Sequence, residues 1–198
     1  MSKKKSFVDP KTLAVLLVDM QERFVCQLRK RDRNLIIPRQ LEVIRLCAER
    51  DIPLVVLEYL VWLQEEYEYF QEPTIPELFA EAQKVRRCKV VSKGRDDGFL
   101  ETSLKATLES LGASHLLLMG VNAGGCVLAT AGSAVKLGFR VITAGDLIAN
   151  DRRPSKYDKG DKSAPWYEKN GVFCQEYLSL LPVFGLDPST GTQLTLPL

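Results

Sequence analysis

Short apolar runs recur along the chain at Leu13–Val18 and at residues 54–57, 89–91, 116–119 and 141–143, and the stretches between them carry helical spacing. Near-continuous apolar strands that alternate with helices predict a mostly parallel central sheet covered on both faces, a three-layer α/β/α arrangement of the Rossmann-like kind. Within residues 38–50, Leu41, Ile44, Leu46 and Cys47 fall on one helical side, and Asp51 with Pro53 ends the helix. Leu104, Leu108 and Leu111 mark a buried stripe over residues 101–111, and Gly112 supplies the stop. Residues 126–137 read as a helix rich in small side chains, closed by Gly138, that packs tightly on the sheet. A last helix is predicted over residues 167–181, weakened by Gly171.

Two stretches break the alternation. Residues 151–165 are dense in charge and hold Pro154 and Pro165, so they read as a solvated loop or a flap. Beyond Pro182 turn signals replace periodicity, which makes residues 183–198 a tail that wraps a neighbouring subunit or frays, and residues 1–10 read as flexible. A chain of 198 residues is long enough for one core, so residues 1–198 are taken as a single domain.

Composition narrows the partners. The 27 basic and 25 acidic residues are interspersed and give a formal charge of only +2, which provides no field for nucleic acid or anionic lipid. The first apolar run is cut short by Asp19, so neither a secretion leader nor a membrane span is read, and a cytoplasmic protein is expected. The five cysteines are odd in number, widely spaced and without a C-x-x-C pair, which fits reduced thiols better than a disulfide framework or a zinc ribbon.

In a parallel sheet, chemistry gathers at the carboxyl ends of strands, where loops and helix N-termini converge. Asp19 directly follows the first run, Lys93 stands two residues after the third, and Cys126 opens the helix after the fourth. Taken alone, Asp19 is equally a structural cap or a catalytic acid/base, and Cys126 a packing residue or a nucleophile. The conjunction favours chemistry. Gly120-Val121-Asn122-Ala123-Gly124-Gly125-Cys126 is a glycine-rich turn that presents backbone N–H groups and sets the thiol at a helix N-terminus. That position, with Lys93 nearby, is expected to depress the thiol pKa and leave Asp19 to take the proton. Tyr59, Trp62 and Phe99 are aromatic candidates for a substrate pocket.

The blocks L-A-V-L-L-V-D-M-Q-E-R-F, S-K-G-R-D-D-G-F-L-E-T-S-L and L-L-M-G-V-N-A-G-G-C-V-L-A-T-A-G-S-A-V-K-L-G-F-R-V, in that order, resemble the isochorismatase-like family of cysteine hydrolases, related to nicotinamidases. The resemblance implies the isochorismatase-like hydrolase fold and a catalytic triad of Asp19, Lys93 and Cys126. It also implies a cis Val121–Asn122 peptide, an oxyanion hole formed by the N–H groups of Asn122 and Cys126, and pocket positions at Phe24 and Phe99. Metal-dependent nicotinamidases of the family carry an aspartate and paired histidines after the second strand. Here that stretch is Glu58-Tyr59-Leu60-Val61-Trp62, so no metal site and no cofactor are expected. The lone histidine, His115, precedes an apolar strand at the opposite end from the site and reads as a surface or edge residue. Retention of the cysteine favours acyl chemistry over vinyl-ether chemistry.

The expected activity is therefore metal-independent hydrolysis of a small-molecule amide or related C–N bond through a thioester, by a homo-oligomer that binds neither nucleic acid nor membrane. Two competing readings are a non-catalytic or redox-sensing oligomer of the same fold, and a nucleotide-binding protein. The second is weakened because Asn122 occupies the place of the central glycine in a dinucleotide fingerprint.

Overall fold

The computed structural model describes residues 8–63, 68–151 and 163–186, with residues 62, 63, 68 and 69 described by their backbone alone. After a single turn of 3-10 helix, Pro10–Thr12, the order is β1 (Leu13–Val18), α1 (Glu22–Val25), α2 (Lys30–Arg50), β2 (Leu54–Leu63), β3 (Glu68–Gln71), α3 (Pro76–Ala82), β4 (Cys88–Lys93) and α4 (Leu104–Ser110). There follow β5 (His115–Val121), α5 (Cys126–Lys136), β6 (Arg140–Ala144), β7 (Ile148–Ala149), α6 (Ser163–Asn170), β8 (Val172–Cys174) and a second 3-10 segment, Tyr177–Phe184.

Strands β4, β2, β1, β5, β6 and β8 lie side by side, all parallel. The antiparallel β3 extends the far half of β2 into a hairpin, and β7 pairs with the carboxyl end of β5. The alternation of side chains along a strand divides the core in two. Leu13, Val15 and Leu17 point into the layer built by α2, α3 and the second 3-10 segment, whereas Ala14, Leu16 and Val18 point toward α4, α5 and α6. Every side chain of β1 is buried, as expected for a central strand covered on both faces. Among the described residues no helix is long and apolar enough to cross a membrane.

Three expectations need correction. The helix before β2 begins at Lys30 and carries Pro38 inside it, although its end at Asp51, in the left-handed region with φ 54°, is where the sequence placed it. Strand β2 runs on through Glu58 and Tyr59 to Leu63 because the hairpin partner β3 satisfies its outer backbone. The helix expected over residues 167–181 is broken: α6 covers only its first turn and ends at Asn170, and residues 177–181 belong to the second 3-10 segment. Gly171 lies so close to β6 that a Cβ there would stand 2.5 Å from the Val141 carbonyl oxygen, and the chain beyond it joins the sheet as β8. Of the charged stretch 151–165, residues 152–162 lie outside the described residues, as do residues 1–7 and 187–198.

A buried polar cluster fastens the carboxyl-terminal segment to α2. The Tyr177 hydroxyl donates to Glu42, Arg39 pairs with Glu42 at 3.2 Å and covers the Tyr177 ring at 5.6 Å, and the Tyr177 N–H donates to Asp146 at 2.8 Å. Tyr177→Phe removes one of the two donors to the buried Glu42 Oε2, leaving Arg39 as the other, so loss of this charge-assisted bond is expected to cost about 1–3 kcal/mol. Urea unfolding of the two proteins measures it, and coincident transitions would contradict the expectation.

Candidate active site

The carboxyl ends of β1, β4 and β5 meet at one place. Val18 of β1 pairs with Gly120 of β5, and this contact requires glycine: at φ +132°, a Cβ on Gly120 would lie 2.1 Å from the Val18 carbonyl oxygen. The close approach brings Asp19, itself left-handed at φ 53°, beside the turn leading into α5. Lys93 comes from β4, two strands away from β1, and adjacent strands are spaced about 4.8 Å apart, so a long side chain is needed to reach across β2.

That reach ends in a buried ion pair. Lys93 Nζ lies 2.8 Å from Asp19 Oδ2, and both side chains are essentially inaccessible to solvent, at 0% and 2%. The ammonium also donates to the carbonyl oxygens of Arg95 at 3.1 Å and Asp96 at 3.4 Å, and it stands 4.5 Å from the centre of the Tyr59 ring. Asp19 Oδ1, by contrast, is buried with no hydrogen-bond partner among the described residues. One carboxylate oxygen is thus fixed and the other is left available.

Cys126 is the first residue of α5, and its Sγ lies 3.6 Å from Asp96 Oδ1. Burial, then the charge of Asp19, pushes the thiol well above its ordinary range, against the opposing pull of Lys93. This reverses the expectation that a helix N-terminus and a lysine would depress it. Lys93 is already committed to Asp19, and two carboxylates, the buried Asp19 and the exposed Asp96, face the sulfur. Burial likewise raises Asp19 above the usual carboxylate value, with Lys93 opposing. The resting site therefore holds a thiol rather than a thiolate.

The turn before α5 sorts its N–H donors. Those of Ala123, Gly124, Gly125 and Val127 are given to Ala149 O, Asn150 Oδ1, Asn122 O and Asn122 O. The N–H groups of Asn122 and Cys126 have no acceptor among the described residues. The Val121–Asn122 peptide is cis. The Asn122 side chain accepts from the Asp151 N–H at 2.9 Å, which ties the turn to the segment after β7.

Of the aromatic candidates, Phe24 on α1 and Tyr59 on β2 meet edge to face, 6.0 Å between ring centres, on the side from which Lys93 arrives. Phe99 is not with them. Its ring stacks on Phe139, 5.9 Å away, beyond the far end of α5, because Gly98 is drawn onto Thr130 and Asp97 onto Ser133 along that helix. The side chain of Trp62 lies outside the described residues.

Sequence reasoning passed over two contributors. Gln21, fully buried, holds the Tyr59 main chain in both directions, with Oε1 accepting from the Tyr59 N–H at 2.8 Å and Nε2 donating to the Tyr59 carbonyl at 3.0 Å. Asp96 faces the sulfur while its neighbour Asp97 faces α5. Adjacent acids carry no signal of which will point where.

The outer half of β2 does not suit a metal. It contains no histidine, and both oxygens of Glu58 are taken, Oε1 by the Thr74 N–H at 2.8 Å and Oε2 by Gln71 at 2.6 Å, where they brace the hairpin. His115 sits at the amino end of the central strand β5, the opposite end from the site, with Nδ1 3.0 Å from both the Thr12 and Ser114 hydroxyls.

Known proteins resemble the chain in sequence and in fold. Residues 13–159 match the isochorismatase domain. A 72-residue stretch is 42% identical to streptothricin hydrolase of Streptomyces noursei, covering 36% of this chain and 26% of that protein. A cysteine hydrolase from Pseudomonas syringae pv. phaseolicola superposes with TM-score 0.73 at 18% identity, over 93% of this chain and 99% of that one. A nicotinamidase from Staphylococcus aureus superposes with TM-score 0.65 at 20% identity, over 83% and 98% of the two chains. At such identities the two structures speak for the three-layer fold.

Proposed function

The chain belongs to the isochorismatase family, and from that membership we propose that it hydrolyses a small-molecule amide or related C–N bond through a thioester on Cys126, without a metal. The observation that carries the reading is the asymmetry of Asp19: Oδ2 is held by Lys93 at 2.8 Å, and the buried Oδ1 is unpartnered beside the nucleophile. The Sγ proton moves to Oδ1 as substrate arrives, and the thiolate adds to the carbonyl carbon. The N–H groups of Asn122 and Cys126 receive the developing oxyanion, a contribution of about 3–4 kcal/mol for a well-placed donor. Asp19 returns its proton to the departing nitrogen, the C–N bond breaks, and the acyl group remains on sulfur. Water, deprotonated by Asp19, then cleaves the thioester and restores the thiol. Lys93 keeps the carboxylate oriented throughout.

The protonated resting thiol supports this order of events and disfavours oxidant sensing, which follows thiolate character. The turn disfavours phosphate binding, because four of its N–H donors are occupied within the fold. The sequence relative is named a hydrolase, and the name of the nicotinamidase fits an amide as the bond cleaved.

The test is a panel of small primary amides, each mixed with the protein, quenched in acid and weighed intact. An acyl group on Cys126, with ammonia released, is the expected result, and absence of both acylation and turnover across the panel overturns the reading. The same assay carries a pH expectation. Asp19 must be ionised to accept the proton, so kcat/KM falls as pH drops through its raised pKa, and the acid limb lies above the ordinary aspartate value of 3.8. An acid limb at or below that value would contradict the assignment of Asp19 as the base.

A further inference from the structure

The Asp96 carboxylate points at the sulfur and takes no part in the steps above. Its Oδ1 stands 3.6 Å from Cys126 Sγ, the residue is exposed, and it forms no ion pair among the described residues. Lys93 gives only a main-chain contact to the Asp96 carbonyl and directs its charge to Asp19. Asp19 and Lys93 cancel, so Asp96 leaves the site one negative charge in excess. Burial is the main cause of the upward shifts of Asp19, Tyr59 and Cys126, and the Asp96 charge adds to all three, which places its field across the whole site.

We propose that Asp96 makes the enzyme selective for amides that carry a positive charge, an ammonium, amidinium or guanidinium group, within a few bonds of the scissile carbonyl. This rests on the amide-hydrolase reading and names its substrate class. A cation placed there pairs with a carboxylate that forms no ion pair among the described residues and accepts only from the Cys126 thiol, and it also eases formation of the thiolate between two acids. An anionic substrate meets uncompensated repulsion. Asp97, held by Ser133 and by the Phe99 N–H, has no such role.

The decisive measurement reads charge at the sulfur without needing turnover. Cys126 is modified with a cationic methanethiosulfonate (2-aminoethyl) and an anionic one (2-sulfonatoethyl), each forming a mixed disulfide and releasing methanesulfinate, and the rates at Cys126 are followed by peptide mass. After normalisation to a free thiol, the cationic reagent is expected to react about ten- to a hundredfold faster, a charge-assisted contact being the source. The excess shrinks with added salt. Asp96→Asn brings the ratio to within about twofold of unity and Asp97→Asn leaves it in place, melting temperatures confirming that both variants are folded. Equal rates in the wild type, or an unchanged excess in Asp96→Asn, overturns the proposal. A preserved charge preference in a protein that acylates with no amide would sink the hydrolase reading instead. Where amides turn over, kcat/KM should favour β-alaninamide over butyramide, and butyramide over succinamate, by about tenfold at each step, with Asp96→Asn flattening the series.

Discussion

Replacing Cys126 by alanine is expected to lower kcat/KM by about 10⁴-fold or more for every amide the enzyme hydrolyses, the scale on which nucleophile removal acts in hydrolytic triads. The fold should survive the change. Cys126 is a small residue at the start of α5, its sulfur faces the site and not the sheet, and removing one atom there costs about 1 kcal/mol or less. Circular dichroism and melting temperature check this before the kinetics are read. Asp19→Asn keeps the size of the side chain and an oxygen for Lys93, yet it removes the proton acceptor, so a loss of about 10²–10⁴-fold is expected. Because the two groups act on one proton, their losses should not multiply, and the double variant should be no slower than Cys126→Ala alone. A Cys126→Ala protein within tenfold of wild type would remove the thioester from the mechanism.

Much of the sheet was legible because its central strands are buried on both faces and read as unbroken apolar runs, Leu13–Val18 most plainly. Edges were less legible. Glu58 and Tyr59 look like the end of a strand, but β2 continues because the Glu58 carboxylate is absorbed by Gln71 and Thr74 across the hairpin. The strand β8 hides behind a helical pattern. Only the distance from Gly171 to Val141, set by tertiary packing, shows why the helix stops.

The same division holds at the site. Asp19 and Cys126 were legible from their positions after apolar runs, and Lys93 from its place beyond the third run. The titration of the thiol was not, since helix polarity is a local feature whereas burial and the presence of Asp19 and Asp96 belong to the assembled fold. Phe99 was expected in the substrate pocket, as an aromatic candidate and from its motif position, but its neighbours Asp97 and Gly98 bind Ser133 and Thr130 and its ring stacks on Phe139. Asp96 needed the fold as well. Two successive acids differ in direction, and only one of them meets the nucleophile.

Lys93→Met is expected to destabilise the protein by about 3–5 kcal/mol near pH 7, the usual penalty for removing one partner of a buried ion pair. The unbranched methionine fills most of the lysine stem's volume, so the loss comes chiefly from an Asp19 carboxylate left in a site where neither group is open to solvent. The pH dependence separates charge from packing. Burial already holds the Asp19 pKa above its unfolded value, and removing Lys93 takes away the largest influence opposing that rise. A carboxyl group with a raised native pKa contributes stability that is fully present below the unfolded pKa and is lost as pH climbs through the native one. In the variant that loss continues to higher pH than in the wild type, so the gap between the two proteins is widest near neutrality. As pH falls toward about 4, Asp19 becomes protonated first in the variant and then in the wild type, where Lys93 is left unpaired in its turn, and the gap closes from both sides. Urea unfolding of both proteins across this range measures it. A constant gap would reduce Lys93 to a packing residue, whereas the double variant Lys93→Met, Asp19→Leu, which removes both charges, should regain most of the stability near pH 7 while remaining inactive.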